Sequence, residues 1–280
     1  MLHSGDRLRS FAQMRKLYAA DTDGLTRALA VAIVFGAVAY LSAAYTQNSD
    51  GIATVWPANG IALAAVILAG QPWRRHQILA LVFIANIIAN FFAHREWGPN
   101  IGFALTNMLE IYAAFRILKF KEPEPFEFGN LRFLISFSIA AMASSAIAAI
   151  TAALIAAMTY EAITLRVFSS WLFADFLGLL TVTPAIVRLS QSGATPSSTA
   201  SNWEVYALFT ILAATMVLVV GLSQPFLAFL IMPVFVLIAC RLGPNATSAA
   251  TLLMSATVLG CTAGGLEAVS YTHLRAHETP

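Results

Sequence analysis

Charge is what this chain has least of. Only 11% of its 280 residues are Asp, Glu, Lys or Arg, whereas a soluble domain carries about 25%, so too few charges exist to cover a water-facing surface. Its two cysteines, Cys240 and Cys261, stand in apolar stretches with no CxxC or Cys/His spacing. They read as buried small hydrophobes, and no metal or cofactor is expected. The five histidines (His3, His76, His94, His273 and His277) fall in tails or loops, so an intramembrane Ser–His hydrolase has no base within reach of a nucleophile. An HExxH zinc pair, a Gly-rich phosphate loop and a kinase phosphoacceptor motif are all missing, and the chain itself is not expected to be an enzyme. A net charge of +2 without a basic stripe excludes nucleic acid as a partner.

Apolar residues fill the space that charge leaves: 59% of the chain is hydrophobic and the mean hydropathy is +0.74. A helix crosses the hydrocarbon core with about 20 apolar residues. By that measure the expected fold is all-α, a polytopic transmembrane helix bundle of about eight to ten spans. Nine are read, near 25–45, 52–70, 77–93, 101–119, 131–158, 167–188, 203–222, 225–240 and 246–265. Lys and Arg concentrate in the N-terminal tail, around Arg74 and Arg75, from Arg116 to Arg132, at Arg188 and at Arg241. The intervening loops are poor in both, which predicts a cytoplasmic N-terminus. Ser42-Ala43-Ala44 could pass for a signal-peptide cleavage site, but the preceding tail is long and contains Asp6, Asp21 and Asp23, which argues against cleavage.

Two carboxylates interrupt the apolar runs, Glu110 in the fourth span and Asp175 in the sixth. An ionisable side chain at membrane depth costs about 2.5–3.5 kcal/mol on insertion scales and marks a functional interior. Both spans run in the same direction, and at 1.5 Å per residue Glu110 lies about 13 Å and Asp175 about 12 Å from their outer ends. Asn59 falls about 10 Å from the outer end of the second span. Asn86 and Asn90 share a face of the third span at i, i+4, Asn107 shares one with Glu110 at i, i+3, and Trp171, Asp175 and Gly178 form another. Pro57 and Gly60 loosen the second span where Trp56 and Asn59 stand, and Gly178 and Pro184 are candidate hinges in the sixth. The candidate ligand- or signal-binding set is therefore Trp56, Asn59, Asn86, Asn107, Glu110, Trp171 and Asp175, with Pro57, Gly60, Gly178 and Pro184 as hinges. Arg95 and Arg166 are possible counter-charges, while Arg116 is expected to snorkel toward the nearer surface. In the fifth span Ala140, Ser144, Ala148, Ala152 and Ala156 recur every four residues, a stripe that permits close helix packing.

The stretches VWPANGIALAAVILAG (55–70), TNMLE (106–110) and WLFADFLGLLTVTPAIV (171–187), with the Asn-bearing third span, resemble the bacterial MASE-type sensor domain of the first class. Trp56, Pro57, Asn59 and Gly60 match that family's second-span motif. Asn107 and Glu110 match its fourth-span pair, and Trp171, Asp175, Gly178, Thr183 and Pro184 its sixth-span motif. The resemblance implies a signal-input module of the inner membrane, joined to a histidine kinase or a cyclic-di-GMP enzyme. Its implied partners are the lipid bilayer, a small molecule or a membrane partner protein, and a cytoplasmic output domain that this sequence does not contain; a homodimer is a further candidate. Expected domains are a cytoplasmic tail at 1–24, the sensor domain at 25–267 and a non-native tail at 268–280, where the sequence turns polar and unpatterned. Nine spans from an inside start end outside, one crossing short of such an output domain. The alternative is a secondary transporter whose carboxylates couple to protons.

Overall fold

The structure is a computed structural model that describes residues 4–47, 52–94, 96–121, 126–160, 164–191, 200–222 and 225–263. The Arg95 position, most of the connector between the sixth and seventh expected spans and the whole of 268–280 lie outside the described residues. Among the described residues eight α-helical elements follow one another: α1 (Ser4–Tyr45), α2 (Ala58–Leu68), α3 (Pro72–Phe92), α4 (Trp97–Lys121), α5 (Leu131–Tyr160), α6 (Thr164–Gln191), α7 (Asn202–Leu222) and α8 (Ile231–Ala263), with a 3-10 turn at Pro225–Leu230 before α8. Among the described residues seven of these are long and apolar enough to cross a membrane. The molecule is an all-α polytopic bundle, as expected.

The count of nine spans needs correction, for two local reasons. The second expected span, 52–70, is helical only from Ala58 to Leu68. Eleven residues rise about 16 Å, half a hydrocarbon core. Pro57 sits at the N-cap, and a proline disfavours the helical region for the residue before it. The preceding segment is buried instead (Ile52, Ala53, Trp56) and tied to the end of α1, where the Thr54 N–H donates to the Thr46 carbonyl at 2.8 Å. Non-helical backbone at membrane depth is stable where protein, not lipid, surrounds it. The second correction is at the eighth and ninth expected spans, which are two helical stretches meeting at a kink within α8, at Gly243 (φ 80°, ψ −175°), rather than two spans parted by a loop. That positive φ suits glycine, and Pro244, lacking an N–H, follows it.

Short connections place alternate helix ends together. One end of the bundle gathers Arg74, Arg75, Arg116, Lys119, Arg132, Arg188 and Arg241 and is called here the basic end. At this end Arg188 Nε donates to Asn245 Oδ1 at 3.1 Å and Arg241 pairs with Glu204 at 2.5 Å, so the break in α8 is stitched to α6 and α7. Arg116 is exposed, with its Nη1 3.5 Å from the Tyr112 hydroxyl, as expected of a snorkelling side chain.

Large apolar side chains point outward along the helices, among them Ile33, Ile84, Phe92, Leu154 and Val217, while Asn, Ser, Thr and carboxyl groups are buried. This is the arrangement of a protein solvated by lipid. The cysteines follow the same logic and contradict the expected burial: Cys240 is exposed and Cys261 half-buried. In a bilayer an apolar side chain gains nothing by leaving the surface, so apolarity does not predict burial.

α2 is enclosed by α1, α3, α4 and α6, and α5 packs between α4 and α6. The small-residue stripe of α5 is fully inside: Ala140, Ser144, Ala148, Ala152 and Ala156 are all at most 1% exposed. Ala148→Leu forces three extra carbons into this contact and is expected to cost about 1–3 kcal/mol, read as a lower unfolding temperature in detergent. Ile147→Leu, on the neighbouring exposed position, leaves that temperature unchanged. Equal stability of the two variants would show that the stripe is not a packing face.

Candidate functional site

The expected carboxylates meet. Glu110 on α4 is completely buried and Asp175 on α6 is 2% exposed. The Asp175 carboxyl faces that of Glu110 and lies beside the Trp171 indole. Four helices contribute to the cluster. From α2, Asn59 Nδ2 donates to Glu110 Oε2 at 2.5 Å and to Asn107 Oδ1 at 3.0 Å. From α5, Ser145 Oγ donates to Glu110 Oε1 at 2.5 Å. Both Asn59 N–H bonds are thereby used, and because both neighbours are acceptors the orientation of its amide follows from the network.

The short α2 explains why Asn59 can do this. Its helix begins at Ala58, so its first turn, the positive end of its dipole, stands at the level of Glu110. Partial positive charge at a helix N-terminus favours a nearby anion by up to about 2 kcal/mol in partly buried settings. It is the main positive contribution on hand, because among the described residues neither carboxyl has an ion-pair partner. Arg166, one of the two expected counter-charges, is exposed.

α2 is held against α6 at very close range. A Cβ on Gly60 would lie 2.5 Å from the Gly178 carbonyl oxygen and 2.8 Å from Val182 Cβ; one on Gly178 would lie on the Trp56 carbonyl. Thr183 Oγ1 donates to the Gly60 carbonyl at 3.0 Å across the same seam. Gly60 and Gly178 are thus where two backbones touch. α6 remains one helix through Gly178 and Pro184, and Pro57 marks the start of α2.

Beside the carboxyl pair lies a cavity of about 20 Å³, lined by Trp56, Asn90, Phe103, Asn107, Trp171 and Asp175 among others. A space of at least about 10–15 Å³ accommodates one water. Phe103 and Trp171 close one side with ring centroids 5.1 Å apart. The surroundings are not saturated. Trp56 Nε1, Trp171 Nε1, Asp175 Oδ2 and Asn59 Oδ1 are buried without a hydrogen-bond partner among the described residues. A buried polar group without a partner costs about 1–3 kcal/mol, so donors and acceptors on this scale are a standing demand for a polar occupant. Among the described residues no group of three or more His, Cys, Asp or Glu side chains could hold a metal ion.

Of the expected site residues, Asn59, Asn107, Glu110 and Asp175 form the connected core, and Trp56 and Trp171 line its cavity. Asn86 is fully buried but neither of its side-chain atoms has a partner among the described residues; Asn90, one turn away, is the α3 residue that reaches the cavity. Ser145 and Phe103 were not singled out from the sequence. Ser145 sits one position beyond the Ser144 stripe, and a second hydroxyl beside a packing face was the available signal. Phe103 carries none, being one aromatic among 19 phenylalanines.

A family model, MASE1, matches residues 25–273, which takes in α1 from Leu25 onward and all of α2 to α8 and ends within the polar stretch that begins at Ala268. Comparison with curated proteins gave no match, and neither did comparison with solved structures.

Proposed function

The chain belongs to the MASE1 family of membrane sensor domains, and on that premise we propose that its sensing element is the polar cluster joining α2, α4, α5 and α6. In this reading the domain lies in a bacterial inner membrane with its N-terminus in the cytoplasm. It feeds a cytoplasmic output domain of the histidine kinase or cyclic-di-GMP type. The signal is a small polar ligand or a membrane partner that engages the cluster from the outer side. The observation that carries this is the pairing of Glu110 and Asp175 with the first turn of a half-length helix, beside unpartnered buried polar atoms. The cavity, about 20 Å³, is roughly the size of one water, so a larger occupant parts the Trp56–Phe103–Trp171 wall. Because Trp56 and Pro57 rest on Gly178, parting that wall moves α2 against α6. A ligand that favours the parted arrangement shifts the population toward it by its differential affinity.

Transport is the weaker reading. A broken helix at a carboxyl pair suits it, but α2 and α6 continue toward the basic end through Leu63, Val66, Leu179 and Val182, all buried and apolar. Among the described residues the buried hydroxyl of Thr183 on this seam is already bonded to the Gly60 carbonyl.

The test is output of the parent signalling protein at equal membrane abundance. Asp175→Asn and Glu110→Gln are each expected to change basal or stimulated output about ten-fold, the effect of about 1.4 kcal/mol between two arrangements. Leu177→Ala, on an exposed face of α6, leaves output unchanged. Wild-type output from both carboxyl variants would overturn the proposal.

A further inference from the structure

A roomier cavity than the one at the carboxyl pair stands elsewhere. It lies at the basic end, between the C-terminal end of α2, the start of α3 and the end of α4, with a volume of about 320 Å³. That is the scale at which small-molecule sites begin, roughly 300–1,000 Å³. Its walls carry Arg75, Arg116 and Lys119 together with Tyr112, Leu79 and Phe120, and no lining residue is a carboxylate.

Basic residues at the end of a bundle usually reach out into water, which would make this groove a by-product of snorkelling. Arg75 does the opposite. It is 7% exposed, folded back to the groove floor, where its Nε–H donates to the Ala69 carbonyl at 2.9 Å. Its guanidinium lies 4.5 Å from the centre of the Phe115 ring. The Ala69 carbonyl belongs to the C-cap of α2, so one face of Arg75 closes that helix. Lys119 approaches the other side of the same groove, its Nζ 6.0 Å from the Phe115 ring centre. Arg116 and Lys119 are exposed at the mouth, and Phe120 there is 92% exposed. A buried cation on the floor, two exposed cations at the rim and an apolar lip describe an amphiphile's binding place: net-negative phosphate inward, acyl chains outward along Leu79 and Phe120.

We infer that this groove binds the headgroup of an acidic phospholipid, through a phosphodiester held by Arg75, Arg116 and Lys119. Guanidinium and ammonium groups are the ordinary phosphate partners of proteins, and basic pockets between spans are a known form of lipid recognition. The site is separate from the carboxyl cluster, being at the far end of α2, and does not depend on what that cluster senses. An occupied groove ties the ends of α2, α3 and α4 together and anchors the end of the helix that the carboxyl cluster displaces.

The test uses the purified full chain in non-ionic detergent, mixed with equal amounts of dioleoyl-phosphatidylglycerol and dioleoyl-phosphatidylcholine, with bound lipid counted by native mass spectrometry. Wild type is expected to retain the glycerol lipid over the choline lipid by about ten-fold, given the contribution of each cation near an anionic headgroup. The double variant Arg116→Gln/Lys119→Gln, altered at exposed positions that leave the Arg75 helix cap in place, loses the preference. Arg132→Gln, a cation of the same end outside the groove, keeps it. A preference that survives in the double variant, or equal retention of both lipids by wild type, overturns the site. Displacement of the glycerol lipid by millimolar glycerol 3-phosphate overturns the lipid as the source and assigns the groove to a soluble phosphate.

Discussion

Gly178→Ala is expected to abolish recovery of folded protein. The added Cβ would fall on the Trp56 carbonyl oxygen, 2.9 Å from the Trp56 carbonyl carbon and 3.2 Å from Pro57 Cα. All three are backbone atoms, so no rotamer change relieves the clash. The segment they belong to is pinned as well: Thr54 bonds to Thr46 through both its N–H and its hydroxyl, Pro57 fixes its own φ, and α2 follows at once. Overpacking of a core costs about 1–3 kcal/mol where side chains can shift, and here they cannot. Gly60→Ala strikes the same seam from the other side and is expected to behave alike. Gly70→Ala and Gly98→Ala are the controls, since a Cβ at either meets nothing within 4 Å. The measurement is detergent-extracted monodisperse protein on size exclusion, followed by its unfolding temperature. Wild-type behaviour of Gly178→Ala would mean that α2 and α6 do not touch there, and the parting motion proposed for signalling would lose its fulcrum.

That seam also marks the boundary of what the sequence makes legible. Span existence was readable because the length of an apolar run is itself the physical requirement for crossing. The shared level of Glu110 and Asp175 was readable because a helix converts residue count to depth at a fixed rise, and their meeting follows that count. Asn59 and Asn107 were readable as polar groups at the same depth. What failed was everything decided by neighbours. The residues Trp56-Pro57-Ala58-Asn59-Gly60 carry a helix breaker, but whether a proline kinks a long helix or starts a short one depends on whether protein encloses the freed backbone. Here α1, α3, α4 and α6 enclose it. The spans near 225–240 and 246–265 were readable as apolar runs, but not that a single residue, Gly243, would join them at a kink. Burial of Cys240 and Cys261 could not be inferred from apolar context, because lipid accepts the same side chains that a core does. Ser145 was hidden by its setting: a hydroxyl in a stripe of small residues looks like packing until the partner carboxyl is placed opposite it.

Removing the Glu110 carboxyl outright should be the second most damaging single change. Glu110→Leu deletes the acceptor of two buried donors, Asn59 Nδ2 and Ser145 Oγ, and leaves Asp175 facing an apolar side chain. Bonds between membrane helices average about 0.6 kcal/mol and reach about 1.7, and each donor left unpaired in a buried site costs about 1–3 kcal/mol. A loss of about 2–4 kcal/mol is therefore expected, read as a lower unfolding temperature. Glu110→Gln keeps one acceptor oxygen and one of the two bonds, so it should lose about half as much. Ser145→Ala, which removes a donor and frees one carboxyl oxygen, should lose about 1 kcal/mol. The double variant Ser145→Ala/Glu110→Leu tests the pairing itself, because a contact already broken cannot be broken again. Its destabilisation must fall short of the sum of the two single losses by the energy of the shared bond. Strict additivity would show that Ser145 and Glu110 are not partners, and the four-helix cluster would shrink to three. Less-than-additive loss, together with altered output in Asp175→Asn, would separate the two tasks of the site. Glu110 would then hold the helices to one another, and Asp175, with an oxygen still unpartnered among the described residues, would be the group left to answer an arriving signal.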